Sequence, residues 1–264
     1  MANVDSGCDK PTIDRIHRAT AVEQLLPEGV VAFELRGSAS PEDLFPSERE
    51  CVAAAVERRV REFAAGRLCA RAGLVALGLG PAPLLTGCDR APLWPMNISG
   101  SISHTENYCV AVVGREAQFA AIGVDVERIA EVSPALWPLT MRGEELSRLL
   151  NREESTRQQT AALIYSAKEA FYKCQYSLTS KWLGFEDVLV SVAGDAFEVS
   201  VIAPSHPLHY MLSPWVGRFR VQGDFIVTGI AAEHCNTRGI HRAPSAGGED
   251  LPAAPFEPLH RLRG

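Results

Sequence analysis

No apolar run in this sequence approaches the roughly 18–20 residues that cross a bilayer, which argues against a membrane-spanning helix. The opening, MANVDSGCDKPTIDR, lacks a basic stretch followed by an apolar one. No secretory leader is visible, and a cytoplasmic location is expected. The seven cysteines (Cys8, Cys51, Cys69, Cys88, Cys109, Cys174 and Cys235) show no CxxC and no zinc-type spacing. Their odd, scattered arrangement predicts mostly reduced, buried thiols. Positive charge is in short supply: 26 Lys and Arg against 32 Asp and Glu give a net charge of −6. That argues against a nucleic-acid protein held by a global basic field, and leaves room for a local basic pocket.

What is present fits a globular chain. At 264 residues, 46% hydrophobic and 22% charged, it can bury a sizeable core as one large domain or two small ones. GVVAFELRG (29–37) reads as a strand, and SERE (47–50) as a capping box opening a helical region that stops at Gly78 and Gly80. That region is one kinked helix or two. A Pro/Gly-rich loop (80–95) leads to SGSISH and YCVAVVG, a hairpin turning at Thr105, Glu106 and Asn107. The order then begins again: the strand AAIGVDVERI, a helix near 141–150, a longer one from Thr156 to Tyr176, and four more strands. The expected organisation is a frayed segment 1–20, an N-terminal half 21–116, a C-terminal half 117–235 and a disordered tail 236–264. No residue-level repeat between the halves is visible by eye.

Two stretches carry unusual charge. In AIGVDVERI, Ile122, Val124 and Val126 share one strand face, and Gly123, Asp125 and Glu127 the other. Two carboxylates at i and i+2 repel if that face is covered. They sit either on an exposed sheet face or around a divalent metal, for which hard oxygen ligands and an incomplete protein shell suit Mg2+. On the helix, Leu163, Ile164, Ala167, Ala170, Phe171 and Cys174 form the core side. Glu169 lies nearly opposite, with Lys173 one turn on and Tyr165 and Tyr172 beside it. Either Glu169 and Lys173 are a solvated i,i+4 pair, or this face is covered too and Glu169 completes a three-carboxylate site. The tyrosines favour a covered face.

GVDVE (123–127), SAKEAFYK (166–173) and GSISH (100–104), at this spacing, resemble the Sfp-type 4'-phosphopantetheinyl transferases. WP (94–95) and EFAAGR (62–67) are similar to the siderophore-synthetase branch, and LTSKWLGFEDV (178–188) to the actinobacterial broad-range branch. The resemblance covers about residues 50–230. It implies an α+β fold of two similar α/β halves about a pseudo-twofold axis. Each half would be a small antiparallel sheet on a long helix, with coenzyme A in the cleft between. It implies transfer of the phosphopantetheine arm of coenzyme A to a serine of an apo acyl- or peptidyl-carrier protein, with release of adenosine 3',5'-bisphosphate by a monomeric enzyme.

In residue terms the resemblance gives Asp125, Glu127 and Glu169 to Mg2+, and Glu169 the role of base, directly or through water. Lys173 contacts phosphate and Lys168 assists; Ser103 and His104 touch the coenzyme A phosphates. Arg59 and Arg67 grip the 3'-phosphate, on a helix that could present both. Two departures stand out: Tyr165 replaces a common Trp, and Thr86 replaces a lysine of the actinobacterial branch, whose work Arg90 could do. Trp182, Leu183 and Phe185 read as core rather than carrier contacts. Because the chain is itself acidic, an acidic carrier must dock through a local patch and apolar contacts. The competing reading is a Mg2+-dependent hydrolase of coenzyme A or another pyrophosphate.

Overall fold

In a computed structural model, which describes residues 15–210 and 214–234, the alternating apolar segments pair into two antiparallel sheets. The first, in the order β1-β2-β4-β3, is built from β1 (Ile16–Arg18), β2 (Val31–Arg36), β3 (Ile98–Thr105) and β4 (Tyr108–Arg115). The second, in the order β5-β9-β8-β7-β6, is built from β5 (Phe119–Arg128), β6 (Val188–Ala193), β7 (Ala196–Val201), β8 (Trp215–Gln222) and β9 (Phe225–Glu233). Six helices accompany them: α1 (Thr20–Glu23), α2 (Pro46–Glu50), α3 (Glu57–Ala76), α4 (Trp137–Thr140), α5 (Gly143–Leu150) and α6 (Glu154–Thr179). The architecture is α+β.

Strand alternation explains the layering. Along β4, Cys109 and Ala111 turn to a core under α3, with Phe63 and Cys69 of that helix. Tyr108, Val110 and Val112 turn the other way, into a central core shared with Ile122, Val124 and Val126 of β5 and Val227 of β9. A third core lies between α6 and the second sheet, around Phe171, Phe197 and Ile230. Thus the apolar face of β5 glues the two sheets together, and its acidic face is left to α6.

The joint between the sheets is made by side chains rather than by a backbone ladder. Ser99 of β3 donates to Phe119 O at 2.9 Å, and the amides of Val124 and Val126 donate to Ser101 and Ser103 Oγ at 3.2 Å each. Alternate residues of β3 therefore satisfy Phe119 O and the Val124 and Val126 amides on the edge of β5 that faces away from β9.

Several expectations are adjusted. The helical region after residue 45 is two helices, broken at residues 51–56. Its cap lies two residues earlier than SERE suggested: the amide of Phe45 donates to Glu48 Oε2 at 2.9 Å, and Pro46 opens the helix. Ile16–Arg18 pair with β2, so order begins within the segment expected to be frayed. The β3–β4 turn tightens to Glu106 and Asn107, with Asn107 at φ 58°, a left-handed conformation that asparagine tolerates. Of the five described cysteines, Cys69, Cys109 and Cys174 are buried and Cys51 and Cys88 are exposed. Burial pushes the Cys174 thiol up to about 12, so it stays an inert core group. Cys8, Cys235 and the tail from 236 lie outside the described residues. No helix among the described residues is long and apolar enough to cross a membrane.

Candidate active site

Asp125 and Glu169 meet because β5 and α6 approach unusually closely at Gly123. A Cβ there would stand 2.0 Å from Ala170 O, so only glycine fits. Two residues along the same strand face, the buried Asp125 is pressed against the helix. Its Oδ2 accepts from Ser166 Oγ at 2.8 Å, and its Oδ1 accepts from Ser103 Oγ at 2.8 Å and Lys173 Nζ at 2.7 Å. Ser166 Oγ in turn lies 2.9 Å from Thr228 Oγ1 on β9.

Residues 161–171 of α6 are buried on all sides, so the second face suggested by Tyr165 and Tyr172 is indeed covered. Glu169 is buried there, 7% exposed. Burial, and next the charge of Asp125, push its carboxyl up to about 8; Lys173 and a hydrogen bond from Tyr165 pull the other way. This is a site with more negative charge than its surroundings can solvate.

The expected cage of three acids is not assembled: among the described residues, no group of three or more His, Cys, Asp or Glu side chains could hold a metal ion. Glu127 is buried on the same strand face, two residues beyond Asp125. A hard divalent cation fits the arrangement in a reduced form. Asp125 and Glu169 repel one another, their donors are oxygens, and Mg2+ needs only one or two carboxylates when phosphates complete its shell. At Asp125 the Lys173 ammonium now supplies the positive charge.

The serine and lysines are placed differently from one another. Ser103 uses its full hydrogen-bonding capacity: its one proton goes to Asp125, and its oxygen accepts from Val126 N and Lys173 Nζ at 3.2 and 3.0 Å. It is a strut between the sheets and an orienter of Asp125, not a group with a donor to spare. Lys173, 23% exposed at its side chain, is the member of this cluster that reaches solvent. Lys168 points elsewhere. Its ammonium is buried against Glu145 Oε2 at 2.6 Å and donates to Phe185 O at 2.8 Å. The assignment of Lys168 to phosphate is corrected on that ground, since helix geometry turns adjacent residues about 100° apart.

A second cluster lies on the first sheet and α3. Arg59 Nη1 sits 2.8 Å from His104 Nε2. Arginine only donates, so in the neutral form of His104 Nε2 accepts and Nδ1 carries the proton; Nδ1 faces Glu62 Oε2 at 3.7 Å. Burial would raise the Glu62 carboxyl, but His104, Arg58 and Arg59 hold it below its ordinary range. Arg67 is on the same helix and is buried. It donates to Leu84 O at 2.7 Å and Thr86 Oγ1 at 2.8 Å, with its guanidinium over the Phe63 ring. Burial brings its pKa down to about 10, and Arg59 adds repulsion. Arg90, exposed at φ 66° in the turn between Thr86 and Pro92, joins neither cluster.

Beside Glu169 opens a small cavity of about 50 Å3, lined by Lys168, Phe171, Tyr172 and the segment Trp182–Phe185 with Val188. Trp182 is 43% exposed and packs edge-on against Tyr172, so it is rim rather than core; Leu183 is buried. Sequence reading missed Ser166, Glu62 and Glu145. Ser166 stood inside a quoted motif, but only the charges of that motif were weighed.

Fold and site define an α+β enzyme with clustered acids and cations, and comparison with known proteins says which. Residues 47–114 match the 4'-phosphopantetheinyl transferase N-terminal domain family, and residues 121–228 match the 4'-phosphopantetheinyl transferase superfamily. The 4'-phosphopantetheinyl transferase Npt of Nocardia iowensis is 31% identical over 223 residues, 80% of this chain and 99% of that protein. Svp of Streptomyces mobaraensis is 35% identical over 220 residues, covering 80% of this chain and 88% of its own length. PptT of Mycobacterium tuberculosis is 37% identical over 158 residues, 57% of this chain and 66% of PptT. The chain belongs to the 4'-phosphopantetheinyl transferase superfamily and is an enzyme of that type.

Proposed function

We propose that the enzyme moves the phosphopantetheine arm of coenzyme A to a serine of an acyl- or peptidyl-carrier protein and releases adenosine 3',5'-bisphosphate. The observation that supports this most is that the buried acids Asp125 and Glu169 repel one another beside the Lys173 ammonium. In this reading the two halves are related by a pseudo-twofold axis, and a single chain acting as a monomer binds coenzyme A in the cleft between them.

Arg59, with Arg67 behind it, takes the 3'-phosphate. The repulsion between these two guanidinium groups is relieved by an anion, and a planar fork suits a phosphate. His104, once protonated on Nε2, exchanges its contact with Arg59 for a hydrogen bond donated to the pyrophosphate. Asp125 and Glu169 would hold Mg2+. When bound, the ion would neutralise pyrophosphate charge and stabilise charge developing on the leaving group.

Lys173 adds positive charge toward the phosphates from its place beside Asp125. The uncharged arm suits the apolar cavity at Glu169. Glu169 takes the proton of the carrier serine, directly or through a water. The serine oxygen then bonds to phosphorus, and the bond from that phosphorus to the adenylate oxygen breaks.

Incubating the protein with Mg2+, coenzyme A and an apo carrier, then weighing the carrier, tests the proposal. The expected result is a mass gain of one phosphopantetheine. Coenzyme A breakdown with an unmodified carrier overturns it in favour of a hydrolase.

A further inference from the structure

Lys168 stands next to Glu169 in sequence, and its partner Glu145 stands 23 residues before it. In the other half, Glu48 stands 23 residues before its own partner, Arg71. The resemblance goes beyond spacing. Glu48 and Glu145 are each the third residue of a short helix, and each accepts the amide preceding that helix, Phe45 N at 2.9 Å and Arg142 N at 2.8 Å. Each holds a cation from the following long helix: Arg71 at 2.7 and 2.8 Å, Lys168 at 2.6 Å. Each accepts one more amide from the segment after that helix, Leu84 N at 2.9 Å and Val190 N at 2.8 Å. Both glutamates are buried and fully satisfied, as a buried charge must be to persist.

The two hubs differ in where the cation spends its remaining donor. Arg71 donates to Asp43 O, just before its own short helix, and so ties the first half to itself. Lys168 donates to Phe185 O, in the segment that walls the cavity beside Glu169. The Phe185 ring stacks on Tyr165, 5.5 Å between centroids, and Tyr165 bonds to Glu169. Glu145, through Val190, holds the strand that continues this wall.

We propose that Lys168 is a positioning residue: with Glu145 it clamps the Trp182–Val188 wall to the helix that carries Glu169, and so sets the cavity beside that acid. The inference rests on the transferase reading for its catalytic consequence, but not for the clamp itself.

Two double-mutant cycles on the full chain test it, Glu145→Gln with Lys168→Met and Glu48→Gln with Arg71→Met. In the first, each single change lowers kcat/KM for carrier modification by at least about tenfold, and the double variant falls no further than the worse single. Binding of adenosine 3',5'-bisphosphate changes less than about twofold. Amide hydrogen exchange across residues 183–190 accelerates in both singles. The second cycle lowers Tm and leaves kcat/KM of the folded protein within about twofold.

Additive losses in the first cycle, or weakened bisphosphate binding, would make Lys168 a phosphate ligand and overturn the proposal. An equal loss of kcat/KM in the second cycle would reduce it to general stability. Should Lys168→Met not fold, Glu145→Gln, which keeps its side-chain size, carries both readouts. If the wild-type protein modifies no carrier, the transferase reading fails, and unchanged exchange at 183–190 still decides separately against the clamp.

Discussion

At the scale of single residues, Glu169 is the group most altered by its surroundings. Its carboxyl is held near 8 rather than 4.5, mainly by burial and secondarily by Asp125. In the metal-free protein the native state therefore keeps a proton that the unfolded chain has released between those values. Stability from this group is full below about pH 4.5 and is lost as pH rises through 8. A shift of this size corresponds to at most about 5 kcal/mol. Glu169→Gln should flatten this slope, as read by urea unfolding in chelator between pH 5 and 8.5, while lowering transfer by at least about a hundredfold. A variant with near-normal turnover removes Glu169 from the chemistry. Ser166→Ala leaves Asp125 Oδ2 without its 2.8 Å donor, with an expected loss of about 1–3 kcal/mol by the same unfolding assay.

Asp125 stood out in the sequence because like charges on one strand face demand compensation, and Glu169 and Lys173 because tyrosines shared their helix face; Glu62 and Glu145 gave no such signal. Nor did the hydroxyls. A serine in a motif looks the same whether it is solvated or, like Ser103 and Ser166, saturated by buried partners. Lys168 was misread for a related reason. Adjacent helical residues face different ways, and nothing in KEAFYK says which lysine meets a carboxylate 23 residues upstream.

At the scale of elements, α6 and β5 were readable from periodicity, and α6 runs a turn or less beyond its expected ends, from Glu154 to Thr179. The short pieces were not. α1, α4 and β1 have too few residues for a period to show, and long-range contacts decide them. The long elements meet at Gly123, where an added methyl would collide with the backbone at Ala170. Gly123→Ala should cost at least about 2 kcal/mol in urea unfolding, because backbone must move to admit it. Gly80→Ala, with nothing within 4 Å of the new atom, should stay within about 0.5 kcal/mol. Equal effects at both positions would mean that the helix and strand are not in contact there. Removing one partner of the buried Glu48–Arg71 pair by Arg71→Met strands a charge, with an expected loss of about 3–5 kcal/mol.

Across the whole molecule, the order of elements was enough to expect two sheets, but not the likeness between their buried ion pairs. The likeness between the halves resides in two ion pairs, Glu48 with Arg71 and Glu145 with Lys168, scattered among unrelated neighbours and differing in cation type. The halves meet through a shared apolar core and the β3 serines, so a ligand gripped by both should brace the joint. Arg59 and His104 belong to one half and Glu169 and Lys173 to the other. Coenzyme A with Mg2+ at 100 times its Kd should raise stability by about 2.7 kcal/mol, a Tm increase of about 5–10 °C. Arg59→Ala should forfeit most of that increase at the same ligand concentration without lowering the Tm of the free protein by more than about 2 °C, since this guanidinium is partly exposed. Glu169→Gln should keep much of it, because that change strikes the chemistry more than the grip on the 3'-phosphate. Were Arg59→Ala to respond to coenzyme A as the wild type does, the nucleotide end of the ligand would have to lie away from α3, and the two halves would not share it.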